Sequence, residues 1–568
     1  MTQKHENEKL VPQLLQNIDP REIADTSVRQ TIEILLNLIE ELNSKVKSLE
    51  EEKQKLQDEI NRLKGEDGKP DIKANTTRGF KKDHSSEKER KTPKKHIKSS
   101  KNVNITIDRK EILPYPKSEL PSDAEFKGYE EVIVQDILFK TDNVLFLKPK
   151  YYSPSEGKTY LAPLPAGYDG EFGPGVKAFV ISLYYGGNMT QGKILEFLED
   201  IGISMSAGYL SNLLIKNTED FETELNEVYI EGLASTPWQH LDQTSARVKG
   251  VNHTTNVICN PLYTFYSTTL KKDRLSVIGV LQNKQELQFT ISPLTYELLD
   301  SLNVPTKWKN KLKLLPQNTA FTELEFKNLL DTYLSKLGYQ HRTRVLEAAA
   351  ISFYHQQTDI PIIQTLVCDD APQFKLLTDS LALCWVHEGR HYKKLTPFIP
   401  CHQEILDKFL TEFWDYYREL LAYRDSASPK RKVELQSRFW EIFGTESGYK
   451  QLDERKRLTA AKVSELLLVL EYPELPLHNN PAELAARTMV QRRNISYATQ
   501  TTQGTKAWDI FMSLVATTRK LGISFFKYMQ DRISSKSDIP SLGTIIRNKC
   551  FQEPILLSCQ EELLCMSG

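Results

Sequence analysis

The chain has 568 residues, with 74 Lys and Arg against 75 Asp and Glu and a formal net charge of −1. It is too long for one hydrophobic core, so three or four domains are expected, and its balanced charge gives no global argument for a nucleic-acid partner. Seven cysteines without a CxxC pair exclude a disulfide framework and a ribbon-type zinc site and point to a reducing compartment. No signal peptide opens the chain, and no apolar run reaches the roughly 20 residues of a membrane span. A soluble, cytoplasmic, multidomain protein is the expectation.

Residues 1–27 are polar and read as a disordered N-terminus. From Val28 a heptad stripe begins: Val28, Ile32, Leu35, Ile39, Leu42, Val46, Leu49, Lys53, Leu56, Ile60 and Leu63. A seam this narrow predicts a coiled coil over 28–64, with Ser27 and Gln30 as a capping box and Lys53 as a break that sets register or partner number. The stripe either packs on the chain's own body or pairs two chains; the long polar stretch after it favours self-association, as a homodimer or higher oligomer. Residues 65–103 read as a basic disordered linker. Between Arg78 and Lys101 stand ten basic and three acidic residues, and Lys94 and Lys95 are its candidate phosphate contacts.

Residues 104–175 alternate apolar and polar positions in VIVQDILF, NVLFLKPKYYS and KTYLAPLP, which predicts a small β-rich module. A helical region follows over 176–230. Thr190 caps a helix bearing Ile194, Leu195 and Leu198, Gly202 turns the chain, and Ser206 starts a helix with Leu210, Leu213 and Leu214. Two short helices about a tight glycine turn fit a helix-turn-helix, although many helical hairpins bind nothing.

Pro237–Leu270 reads as three strands, the first being WQHLDQTSARV with Asp242 inside it. A helix is predicted at Asp273–Gln282 and a mostly helical stretch at about 283–360, with an amphipathic helix around Thr343–Tyr354. Ile362–Cys368 is a short β-branched apolar run after Pro361 and reads as a buried strand. Asp369 and Asp370 end it. Most strand-end aspartates make turns, but a carboxylate at the end of a buried strand costs several kcal/mol unless it is paired, and it can hold a cation. Three strands, a helix and a fourth strand in this order match an RNase H-like domain, which places the first and fourth strands side by side and Asp242 beside Asp369. The fold class is therefore α/β: an RNase H-like core over 231–500 with helical insertions at about 283–360 and 402–475, then a helical region over 501–568.

Within the second insertion, helices are predicted at His402–Tyr423, Lys430–Phe443 and Thr459–Leu470. In LPLHNNPAELAARTMVQRRN, Pro481 in the first turn and Asn479 or Asn480 as cap mark another helix start. That puts Glu483 in the first turn and Arg487 one turn on, a pair worth only a few tenths of a kcal/mol if it is merely a surface pair. GTKAWDIFMSLVATTRKLGISFFKYMQDRIS reads as two amphipathic helices parted at Gly522.

Three pieces together resemble the insertion-sequence-66 family of bacterial DDE transposases. They are LDQTSARVKG around Asp242; LVCDDAPQF followed by ALCWVHEGRHY; and LHNNPAELAAR followed by RRNISYATQTTQGTKAW. Asn479, Asn480, Glu483, Arg487, Arg493 and Asn494 match the family's third motif, and Cys384, Trp385, His387 and Arg390 match its Cys-Trp-x-His-x-x-Arg element. The resemblance implies metal-dependent DNA cleavage and strand transfer at element ends, with Asp242, Asp369 and Glu483 as catalytic metal ligands. The implied metal is Mg²⁺, with Mn²⁺ as a substitute. The family usually has Asp-Gly where Asp369–Asp370 stand, which favours Asp369 as the ligand over Asp370.

Arg487, Arg492 and Arg493 are candidate DNA contacts, or solvated helix charges. Element ends and target, both double-stranded DNA, are the implied partners, with element-encoded accessory proteins besides, and the implied location is the bacterial nucleoid. Cys384, His387 and His391 share a helix face, but without a fourth ligand zinc is not expected. The sequence departs from the family in one place: residues 104–175 have no cysteine with which to build the zinc module many members carry. Two alternatives from other classes stand beside this reading: an inactive DNA-binding or architectural descendant, and an endonuclease without strand transfer.

Overall fold

The computed structural model describes residues 15, 18–63, 105–116, 120–121, 124–137, 140–168, 170–283 and 286–552. The basic linker, with Lys94 and Lys95, lies outside the described residues, as do Cys559 and Cys565. Helix α1 (Thr26–Leu63) runs 38 residues, roughly 57 Å at 1.5 Å per residue. Its cap differs from expectation: Asp25 Oδ1 accepts from the amides of Ser27 and Val28 at 2.8 and 3.0 Å, so Asp25 takes the place predicted for Ser27. A carboxylate facing two orphan amides also suits the positive end of the helix dipole.

The apolar residues of α1 are only partly covered by the body. Ile32, Leu36 and Ile39 pack against Phe398, Ile399 and Cys401, while Leu42, Val46, Leu49, Leu56, Ile60 and Leu63 are exposed. Over 105–175 the expected β-rich module is reduced, among the described residues, to one hairpin of β1 (Lys150–Ser153) and β2 (Lys158–Leu161). Residues 131–137 pair with no strand there, and Val132, Val134 and Ile137 are exposed. Alternation prepares one face for burial, but a strand also needs a partner edge. The two short helices form as read: α2 (Gln191–Asp200) is capped by Thr190, α3 (Ala207–Ile215) by Ser206, and Gly202 takes φ +81° between them.

Five strands make the central mixed sheet. β3 (Trp238–Val248), β4 (Val251–Cys259) and β5 (Thr264–Thr269) form an antiparallel meander. Helix α4 (Arg274–Gln282) follows, capped by Asp273. Two two-residue strands, β6 (Gln288–Phe289) and β7 (Phe321–Thr322), pair with each other, and α5 (Tyr339–Gln356) packs against α4 and β6. Then β8 (Thr365–Cys368) enters parallel to β3, and β9 (Ser380–Leu383) enters parallel to β8. The sheet order is β5-β4-β3-β8-β9.

From β9 the chain leaves the sheet for a second, helical core containing buried residues from Leu383 to Leu477. Helix α6 (Trp385–Lys393) lies against α7 (Pro400–Asp425). Gly389 permits that approach, since a Cβ there would fall 2.7 Å from the Trp414 ring. The helix expected over Thr459–Leu470 is instead broken: one helix ends at Ala460, another spans Val463–Leu466, and Lys462 between them turns its ammonium inward. The chain returns through α8 (Asn480–Ser496) and α9 (Thr502–Leu521), whose end at Gly522 (φ +76°) falls where the sequence places it.

The main core draws on residues from Ala178 to Leu377 and from Ala486 to Ile546, and joins α2, α3, the sheet, α5 and α9. The boundaries expected at 230/231 and 500/501 therefore fall inside one packed body. Apolar faces on either side of those points bury against each other, and a linear reading of the chain cannot see that. Among the described residues no helix is long and apolar enough to cross a membrane.

Candidate active site

Parallel pairing of β3 with β8 sets Trp238 opposite Thr365 and His240 opposite Val367. Two further residues along both strands, Asp242 comes opposite Asp369. Both line an open cavity of about 270 Å³ with Gln243, Thr244, His387, Arg390, Asn479, Glu483 and Arg487. Asp242 Oδ1 accepts from the Gln243 amide at 2.7 Å, and Asp369 Oδ1 from the Ala371 amide at 3.2 Å. Gln243 also bonds Asn256 and receives Gln373, which ties the turn after Asp369 to the sheet. Burial, reinforced by the neighbouring Asp369 and Glu483 carboxylates, pushes the Asp242 carboxyl up to about 6. Crowded acids of this kind create a demand for a cation.

The two aspartates part company at once. Asp370 faces Lys375 at 2.8 Å and Lys462 at 3.1 Å. Burial raises its carboxyl, but the two ammonium groups outweigh burial and hold it below the usual range. Asp370 is thus committed to an ion-pair network, while Asp369 lines the cavity.

The third acid arrives on α8, and Asn479 fixes where that helix starts. The Asn479 side chain makes no cap. Its Nδ2 donates to the Leu241 carbonyl at 2.8 Å, its Oδ1 lies 3.0 Å from His240 Nδ1, and its backbone amide reaches Cys384 Sγ at 3.2 Å. With Nδ2 donating, Oδ1 accepts, so the His240 proton sits on Nδ1. Burial keeps that ring neutral, its value lowered to about 3. Asn479 therefore straps the start of α8 to β3 one residue before Asp242. One turn on, the Glu483 carboxylate is gripped by Arg390 of α6, at 2.9 Å from Nη2 and 3.4 Å from Nη1. Among the described residues no group of three or more His, Cys, Asp or Glu side chains is arranged to hold a metal ion as it stands.

Helix α6 is anchored from behind. Buried Glu388 receives Lys462 at 2.7 Å and also pairs with Arg455 and Thr459, so Lys462 bridges α6 to Asp370. Cys384 caps the helix, and the His387 and His391 rings lie 5.2 Å apart on it. Burial raises the Cys384 thiol to about 11 and lowers His391 to about 4. The sulfur is protonated and already accepts the Asn479 amide, so it joins α6 to α8.

The candidate DNA contacts separate by helix face. Arg487 lines the cavity with Glu483. Arg492 does not reach a surface and is corrected from the set: it is fully buried, donates from Nη1 to the Tyr184 carbonyl at 2.7 Å, and stacks 3.8 Å from the Tyr184 ring and 5.2 Å from that of Trp508. Arg493 lines a separate, small cavity of about 20 Å³ with Arg247, Thr499 and Thr505. The helix period holds the missed signal. Buried Ala482, Ala486, Met489 and Arg492 lie at steps of four, three and three, a stripe that carries Arg492 into the core while Glu483, Arg487 and Val490 line the cavity. Gln243, although inside LDQTSARVKG, had no role assigned to it and Lys462 stood in no motif; only tertiary contact shows their part.

Residues 354–507 match the family model described as "Transposase IS66 family". The matched span takes in Asp369, His387, Arg390 and Glu483, and Asp242 precedes it. The chain is also 29% identical over 303 residues to "Uncharacterized protein y4jO" of Sinorhizobium fredii, across 53% of this chain and 93% of that protein. Over residues 354–507, then, the chain carries a domain similar to the IS66 transposase family.

Proposed function

We propose that this chain is a DDE-type polynucleotidyl transferase, a transposase that cleaves DNA at the ends of an insertion sequence and joins them to target DNA. The observation that carries the reading is the convergence of Asp242, Asp369 and Glu483 on one open cavity beside Arg390 and Arg487. The strand order β5-β4-β3-β8-β9 supports an RNase H-like core. The donor set is all carboxylate oxygen, which suits Mg²⁺ or Mn²⁺, and the raised Asp242 carboxyl fits a buried site crowded with acids. Asp242, Asp369 and Glu483 would hold such ions, whose chemistry there would be activation of an attacking water or 3′-hydroxyl and neutralisation of the leaving oxygen.

The protein's own contribution is placement. Asp242 and Asp369 are held on adjacent strands, Asn479 sets the start of α8, and Arg487 on the cavity wall receives a phosphate through its planar fork. The exposed leucine stripe of α1 pairs two chains as a coiled coil, and two chains suit the synapsis of two DNA ends. The helix pair α2–α3 and the basic linker contribute DNA binding.

The test is Mg²⁺- or Mn²⁺-dependent nicking and strand transfer on DNA carrying the element's ends, comparing wild type with Asp242→Ala and Glu483→Ala. Loss of both reactions in both variants, with DNA binding intact, is the expected result. Cleavage surviving both substitutions overturns the site assignment. Cleavage without joining makes the protein a nuclease, and binding without any chemistry makes it an architectural protein.

A further inference from the structure

The proposal concerns Arg390 and rests on the reading of the three acids as metal ligands. Its guanidinium holds Glu483 through both nitrogens of the fork, and the two side chains remain 27% and 17% exposed on the cavity wall. A carboxylate committed to that fork is not placed for a metal, in keeping with the lack of a ready three-ligand cluster. The backbone beneath Arg390 is well anchored: Glu388, two residues earlier, is locked by Lys462 and Arg455, and Gly389 is pressed on Trp414. What can change is therefore the side chain. A guanidinium fork fits a carboxylate and a phosphate with the same geometry, and Arg390 borders the same cavity that a DNA strand must enter to reach the acids.

We propose that Arg390 is a stand-in cation: it clamps Glu483 while the site holds no divalent metal, is displaced when metal binds, and then takes a phosphate of the DNA strand. Arg390 thereby couples metal loading to substrate grip. No covalent step is involved. One ion pair is exchanged for two, Glu483 with the metal and Arg390 with the phosphate.

The probe is Mn²⁺ titrated into the full chain without DNA, read by the electron-spin-resonance signal of free Mn²⁺. Arg390→Gln removes both the competitor for Glu483 and a repelling charge, so it binds Mn²⁺ about tenfold tighter, or about 1.4 kcal/mol. Arg390→Lys keeps the charge and stays near wild type. With a fluorescent DNA duplex, Arg390→Gln loses several-fold more affinity in Ca²⁺ than in EDTA, because only the metal-loaded protein has Arg390 on phosphate. If Arg390→Gln fails to fold, Glu483→Gln gives an independent reading. It releases Arg390, so in EDTA it binds DNA more tightly than Asp369→Asn, which removes the same charge without freeing the arginine. Unchanged or weaker Mn²⁺ binding in Arg390→Gln, or equal DNA binding by Glu483→Gln and Asp369→Asn, overturns the proposal. Asp242→Asn separates the two levels: if it leaves Mn²⁺ affinity intact, the metal-ligand reading itself is wrong, and if it weakens Mn²⁺ while Arg390→Gln does not tighten it, only the stand-in role fails.

Discussion

Asn479→Ala is the sharpest single test of how the site is held. The substitution leaves the His240 Nδ1–H without an acceptor, strips one donor from the Leu241 carbonyl, and cuts the side-chain strap between α8 and β3. Asn479 and His240 are 1% and 2% exposed, so water does not readily replace the lost partners. A buried polar group left unsatisfied costs about 1–3 kcal/mol, and the Leu241 carbonyl less because it also faces the sheet; together about 2–4 kcal/mol is expected. Urea unfolding followed by circular dichroism measures that loss as a shift in midpoint at unchanged slope. In a His240→Ala background the loss should shrink by about 1 kcal/mol, since the shared bond is already gone. A misplaced α8 also moves Glu483, so nicking should fall on the order of 10²-fold. A variant that unfolds at the wild-type midpoint and nicks at the wild-type rate refutes the strap.

Arg492→Ala should destabilise by about 3 kcal/mol through lost packing against Tyr184 and Trp508, whereas Arg487→Gln should stay within about 0.5 kcal/mol. On DNA the order reverses: Arg487→Gln lowers the slope of log affinity against log salt by about 1 and Arg492→Ala leaves it unchanged. Asp509 on α9 accepts from the Thr268 amide and hydroxyl at 2.7 and 2.8 Å, and burial pushes its carboxyl up to about 7. Its folded value lies above the free-chain value of about 3.9, so protonation favours the fold and stability falls as pH rises from about 4 to about 7. Asp509→Asn should remove about 2–4 kcal/mol of that fall, read as unfolding midpoints of both proteins across the window. Leu42→Asp with Leu49→Asp, both on the exposed stripe of α1, should give monomers by light scattering, and a native mass unchanged from wild type would remove α1 from the interface.

Strand β3 was legible to the residue because WQHLDQTSARV is bounded by Pro237 and by a turn at Lys249–Gly250, whereas β9 was missed because four residues leading straight into a helix leave no period to read. The α1 stripe was visible as a heptad, but Leu36 and Glu40, the residues of α1 that are fully buried against the body, lie off that seam. Glu40 is 4% exposed and accepts from the amides of Phe398 and Ile399 just ahead of α7. No local pattern announces a carboxylate that serves a helix some 360 residues away. Of the two acids at Asp369–Asp370, sequence chemistry could not choose. The structure sets them apart by pairing Asp370 with Lys375 and Lys462, the second of which comes from a helix break that propensity did not foresee.

The route the chain takes between the acids explains why the site needs so many supports. Asp242 and Asp369 come from adjacent strands of one sheet, and their relation is set by three backbone register pairs. Glu483 comes after an excursion of about ninety residues through a separate helical core, from Leu383 to Leu477, and rejoins the main core at Ala486. Any shift of the helical core on the sheet would carry Glu483 with it. Three contacts oppose such a shift: Asn479 on β3, Cys384 on the Asn479 amide, and Lys462 between Asp370 and Glu388. The first and third reach a point within two residues of Asp242, Asp369 or Arg390, and the second joins the start of α6 to the start of α8. The geometry of the acids is therefore a property of the interface between the two cores, and substitutions that loosen that interface should impair Glu483 before they disturb the Asp242–Asp369 pair.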